Sequence, residues 1–164
     1  MALPEDDTDT EDLAVEIVEE HWNDYRLEDG SRIRARSIPV IIAWPKKEIL
    51  GPGETFEVGT RLVQAIGVIA PSSLRGARNP SPPSIAEAQR MPLKVVEILK
   101  AEEPWNTYKL SGHKGTMKVR MTVASVFRVI DLFDANGDPY YIINSTVSIG
   151  RSDLDGPETQ DASG

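Results

Sequence analysis

Apolar and polar residues alternate with a period of two along most of this chain, a rhythm that predicts β-strands. Tyr25-Arg26-Leu27 runs into a tight turn at Glu28-Asp29-Gly30-Ser31. Beyond it Ile33 and Ala35 fall on one side and Arg32, Arg34 and Arg36 on the other, as in a half-buried strand. Pro39 has no amide hydrogen, so the run is expected to bulge there or lie on an edge before continuing through Val40, Ile41 and Ile42. A second turn follows at 51–54, and 61–70 (RLVQAIGVIA) is apolar and branched enough for a central strand, weakened by Gly67. Further strands are expected over 93–99 and 105–110. The strongest signal is a long hairpin: Met117, Val119, Met121 and Val123 alternate with Lys118, Arg120 and Thr122, and Asp134-Ala135-Asn136-Gly137-Asp138-Pro139 turns the chain into 140–149.

Two segments break the rhythm. In 10–24, Thr10 is placed to cap a helix, Glu11 and Asp12 suit its positive end, and Leu13, Ile17, Val18 and Trp22 recur at helical spacing. This predicts an amphipathic helix over 10–24. Residues 71–92 carry five prolines with Arg75, Arg78 and Arg90, and only 84–89 suits a helical turn, so a long Pro/Arg loop is expected. The fold class predicted is mostly β: an antiparallel β-sandwich or β-barrel of about seven to nine strands with one N-terminal amphipathic helix. The domain expected is 10–150, between a disordered acidic N-terminus at 1–9 and a disordered acidic tail at 151–164.

A short internal echo joins Tyr25-Arg26-Leu27 with Ile33-Arg34 to Tyr108-Lys109-Leu110 with Val119-Arg120. Each pairs Tyr-base-Leu with a Gly-containing turn and a base-interleaved strand. Two related hairpins produce this pattern, and so do the residue preferences of hairpins in general. The eight residues 51–58 resemble the entry to a strand in immunoglobulin-like sandwiches, a likeness too generic to imply a function.

Charge changes the picture once it is divided along the chain. The net charge of -8 comes from 26 acids and 18 bases. Residues 1–25 hold ten of the acids and no Lys or Arg, and 151–164 hold four acids and one Arg, which leaves 12 acids and 17 bases between them, a central charge of +5. The expected body is mildly basic with acidic ends, a balance that serves solubility or an anionic partner. No apolar run approaches the roughly 20 residues that span a bilayer, and the acidic first 20 residues do not read as a signal peptide, so a cytoplasmic protein without membrane contact is expected.

Candidate chemistry is sparse. With no cysteine, disulfides, thiolate nucleophiles and Cys-ligated metals are excluded. His21 and His113 have no His or Cys neighbour at ligand spacing, and no nucleophile elbow, Walker loop, dinucleotide fingerprint or His-Glu-x-x-His occurs. Asp134, Asn136 and Asp138 begin like a calcium loop, but Pro139 and Ser145 stand where glycine and glutamate are required, so a plain hairpin turn is expected. No catalytic residue, cofactor or metal is therefore assigned. The expected function is a non-catalytic structural or interaction subunit of a homo-oligomer or larger protein assembly. Its partner contacts would be Leu13, Ile17, Val18 and Trp22 with Arg75, Arg78 and Arg90. The alternative is a nucleic-acid-binding module, in which Arg32, Arg34, Arg36, Lys118 and Arg120 form one cationic patch if their strands are neighbours.

Overall fold

The computed structural model describes residues 10–45, 59–112 and 116–151. Their elements are nine strands: β1 Thr10–Glu19, β2 Asn23–Leu27, β3 Arg32–Pro45, β4 Gly59–Ile69, β5 Leu93–Val95, β6 Ile98–Glu102, β7 Asn106–Leu110, β8 Thr116–Phe133 and β9 Pro139–Arg151. Between β4 and β5 lie a short 3-10 turn and α1, a single helical turn over Ile85–Ala88. The strands form one open antiparallel sheet in the order β5-β8-β7-β1-β3-β2-β6, with β4 on the second side of β3 and β9 on the second side of β8. Among the described residues the hydrogen-bonded path is open, with β5 and β6 at its ends. The mostly-β, antiparallel expectation holds.

The N-terminal helix does not. Residues 10–19 form strand β1, whose first half pairs with β3 (Leu13 opposite Ile42) and whose second half pairs with β7 (Val15 opposite Leu110). Leu13, Val15 and Ile17 also fit a period of two, and Val15, Ile17 and Val18 are β-branched, which favours an extended backbone once long-range partners are available. The four residues expected to share one helix face are separated. Leu13 packs against a buried cluster, Ile17 and Val18 are exposed at a bulge, and Trp22 sits just beyond the strand.

β1 therefore joins two ladders, one built around β3 and one around β8. Their inner faces share a core. Tyr25, Leu27, Ile33 and Ala35 from the first ladder pack with Met121, Val123 and Val126 from the second, while Ile42 packs with Tyr108, Leu110, Met117 and Val119. Period-two burial places Ile33 and Ala35 inward and so turns Arg32, Arg34 and Arg36 outward. The bulge expected at Pro39 is present, as a register shift between Pro39 and Ile41 where β3 meets β4.

The Pro/Arg segment is anchored along its length. The Gly76 amide donates to Gly137 O (2.9 Å) and the Asn79 amide to Asp134 O (2.9 Å), the Tyr140 hydroxyl donates to Pro83 O (2.9 Å), and Arg75 pairs with Asp138 at 2.9 Å. Ser84 and Glu87 form a capping box at α1, and Ala88 is fully buried against Val129 and Ile142. The segment is a strap over the β8–β9 turn. The Asp134–Asp138 turn is an Asx-type turn, with Asp134 Oδ1 accepting from the amides of Asn136 (2.8 Å) and Asp138 (3.0 Å). Among the described residues no helix is long and apolar enough to cross a membrane. The turn and likeness at 51–58, His113 and the acidic stretches 1–9 and 152–164 lie outside the described residues.

Candidate functional site

The five cations expected in one patch fall on two ladders, since β3 and β8 do not pair with each other. Most are engaged within the chain. The Arg32 Nε donates to Asp24 across 2.9 Å, and this hydrogen bond, ahead of the added pull of Arg34 and Arg26, holds the Asp24 carboxyl below the usual range. Arg36 pairs with Glu20 at 3.1 Å and Arg120 with Glu103 at 3.6 Å. Arg34 and Arg36 both stack on Trp22, 4.8 and 4.4 Å from the indole centroid, and Arg120 lies 5.6 Å from that of Trp105. Lys118 is exposed opposite Gly150, and Arg78 and Arg90 are exposed on the strap.

Sequence reasoning missed the carboxylates that neutralise this stripe. Glu20 and Glu103 keep only 10 % and 14 % of their side-chain surface exposed. Each also accepts a tyrosine hydroxyl from the other part of the chain: Tyr108 donates to Glu20 and Tyr25 to Glu103, both at 2.8 Å. Burial, reinforced by the facing carboxylate, pushes both phenols far above their ordinary value, so they remain hydrogen donors throughout the physiological range. The available signal was Glu-Glu standing just ahead of Trp-Asn in both places.

An accessible apolar surface borders this stripe. β4 pairs only with β3, so among the described residues its other edge carries unpaired backbone groups from Arg61 to Ile69. Along it Val63, Ile66 and Ile69 are 54 %, 39 % and 59 % exposed. No charge or proline occurs from residue 62 to 69, although natural edge strands usually carry such residues to prevent pairing. An open, mostly apolar cleft of about 380 Å³ lies over the outward face of the β3–β4 ladder, lined by Trp22, Arg34 and β4 residues 65–69. A Cβ on Gly67 would meet nothing within 4 Å, so the glycine leaves this shelf bare.

Among the described residues no group of three His, Cys, Asp or Glu side chains could hold a metal ion. His21 is bound locally: its ring contacts Glu19 at 2.8 Å, and its backbone exchanges hydrogen bonds with the Asn106 side chain. The arrangement can present an apolar strand edge flanked by a cation-capped indole. No family model, curated protein or solved structure matches this chain.

Proposed function

We propose that this protein is a non-catalytic structural subunit that self-associates through the β4 edge, with β4 of a second copy as the partner strand. The observation that carries this reading is the uncharged, proline-free stretch 62–69 with Val63, Ile66 and Ile69 exposed on an edge that is unpaired among the described residues. Antiparallel pairing of two such edges about a two-fold axis places the same apolar patch on both sides, with no charge in it to repel its own copy. Each half-exposed aliphatic chain removed from water contributes on the order of 1 kcal/mol, and new backbone hydrogen bonds align the strands. The two ladders then act as the faces of a sandwich, extended by its neighbour.

The strap 71–92 and the N-terminal strand are less suited to partner contact than their sequences suggest, because the strap is anchored to the β8–β9 turn and β1 is paired on both halves. The nucleic-acid alternative has less support, because Arg32, Arg36 and Arg120 already face carboxylates.

Light scattering on the eluting peak tests the proposal. Wild type is expected at twice the chain mass of 18.1 kDa. Val63→Lys with Ile69→Lys, both at exposed outer positions, is expected to elute folded at one chain mass. A monomeric wild type, or a variant that keeps the doubled mass, refutes it.

A further inference from the structure

We infer that the chain is two copies of one four-strand unit, residues 10–69 and 93–151 with β5 and β6 together standing for β1, which have exchanged the second halves of their first strands within a single molecule.

The pairing registers of the two halves repeat. In the first copy β1 pairs with the far end of β3, Thr10 opposite Pro45 and Asp12 opposite Ala43. In the second, β5 pairs with the far end of β8, Leu93 opposite Val129 and Val95 opposite Phe127. The same correspondence continues: Asn23 opposite Ala35 becomes Asn106 opposite Val119, Arg34 opposite Gly67 becomes Lys118 opposite Gly150, and Arg36 opposite Ala65 becomes Arg120 opposite Ser148. The offset is 83 residues in most strands (10 to 93, 23 to 106, 67 to 150) and 84 in β8 (34 to 118). One irregularity repeats, with register shifts between Pro39 and Ile41 and between Val123 and Ser125, whereas the bulges of the exchanged segments differ, at Val18 in β1 and at Leu99 in β6. A bulge at the same position of both ladders is a feature that related folds retain.

The sequence carries the same repeat at its most constrained place. Glu19-Glu20-His21-Trp22-Asn23-Asp24-Tyr25-Arg26-Leu27 and Glu102-Glu103-Pro104-Trp105-Asn106-Thr107-Tyr108-Lys109-Leu110 agree at six of nine positions, with Arg26 and Lys109 a seventh conservative match. In both, Asn, Tyr and Leu are the buried positions of the strand. The register also corrects the shorter echo: the counterpart of Ile33-Arg34 is Met117-Lys118, since Tyr25 faces Ile33 and Tyr108 faces Met117.

Exchange follows from the remaining pairings. The second half of β1 leaves its own unit to pair with β7, Glu19 opposite Thr107, and β6 does the reverse with β2, Glu102 opposite Asp24. The Glu-Tyr bonds cross the same boundary in both directions, Tyr25 to Glu103 and Tyr108 to Glu20. The Trp, Arg, Glu and Tyr cluster is one lock used twice, and residues 70–92 are the connector that fuses the two copies. Neither unit completes its own sheet, so the partner that each recognises is a second copy of itself.

Because the chain has no cysteine, disulfide trapping tests this directly. Glu16 faces Lys109 across β1 and β7, and Arg26 faces Lys100 across β2 and β6; all four are exposed. Opposed antiparallel residues lie within disulfide range. Two full-length variants are made, Glu16→Cys with Lys109→Cys and Arg26→Cys with Lys100→Cys, each with a protease site replacing the exposed residues 80–82 of the connector. After oxidation and cleavage of the folded protein, both are expected to run as one species on a denaturing gel and to split into two fragments on reduction. Two fragments before reduction in both variants overturn the strand exchange. A cross-link in only one removes the two-fold relation and overturns the duplication. Neither readout depends on the chain's oligomeric state, so failure here is distinct from failure of the β4 contact.

Discussion

The Tyr25 hydroxyl donates to Glu103 across 2.8 Å, joining the second strand of one unit to the segment that precedes the second strand of the other. The same oxygen accepts from Asn23 Nδ2 at 2.9 Å, while Asn23 Nδ2 also reaches Met121 O. Tyr25→Phe is expected to cost about 1–2 kcal/mol in urea unfolding, because it leaves a nearly buried carboxylate without one of its donors. Tyr108→Phe is expected to cost a similar amount through Glu20. Widely different losses in the two variants contradict the equivalence of the two locks.

A pH dependence is expected at Asp29, in the turn between β2 and β3. Burial opposes its ionisation, but hydrogen bonds from Tyr141 and Ser31 and the Arg128 guanidinium outweigh burial and hold its carboxyl below the usual range. Tyr141 is pushed up to about 12, by burial first and then by Asp29, so it remains a donor. A depressed acid contributes stability above its unfolded value of about 3.9 and loses it as pH falls through the lower folded value. Asp29→Asn is therefore expected to be about 1–2 kcal/mol less stable than wild type at pH 7, with the gap closing below about pH 4. A gap independent of pH contradicts this assignment.

Backbone fit at the strap gives a contrast between two glycines of β9 and its turn. Gly137 has φ +86, and a Cβ there would lie 2.6 Å from Gly76 O, whereas a Cβ on Gly150 meets nothing within 4 Å. Gly137→Ala is expected to lower the thermal midpoint by several degrees through strain and loss of strap docking, a cost of about 1–3 kcal/mol. Gly150→Ala is expected to change it little. Equal effects contradict the docking of the strap on the turn.

Much of the fold was legible in the sequence, for identifiable reasons. The β8–β9 hairpin and the β2–β3 turn announce themselves because their partners are adjacent in sequence and their alternation is unbroken. β1 was misread because Leu13 and Ile17 satisfy helical and strand spacing alike, and the deciding partners, β3 and β7, lie far along the chain. The outward turn of Arg32, Arg34 and Arg36 follows from period two, but their neutralisation by Glu20 and Asp24 depends on tertiary placement. The apolar stretch 61–70 read as a central strand, and its composition justified that reading. Among the described residues β4 instead occupies an edge.

That mismatch between composition and position underlies the self-association account. The corresponding edge in the second unit carries Ser145, Thr146 and Ser148 where β4 carries Leu62, Val63 and Ala65, so the two copies have diverged where one is proposed to meet a partner. A dimer through β4 is a row of four units, with the more polar β9 edges outermost, where they stop further growth.

Amide hydrogen exchange followed over a dilution series tests the β4 contact most directly. β4 amides that point away from β3 are expected to be protected at concentrations where the doubled mass is present and to exchange freely on dilution, while β9 edge amides exchange freely throughout. Free exchange along the outer edge of β4 at every concentration contradicts the account.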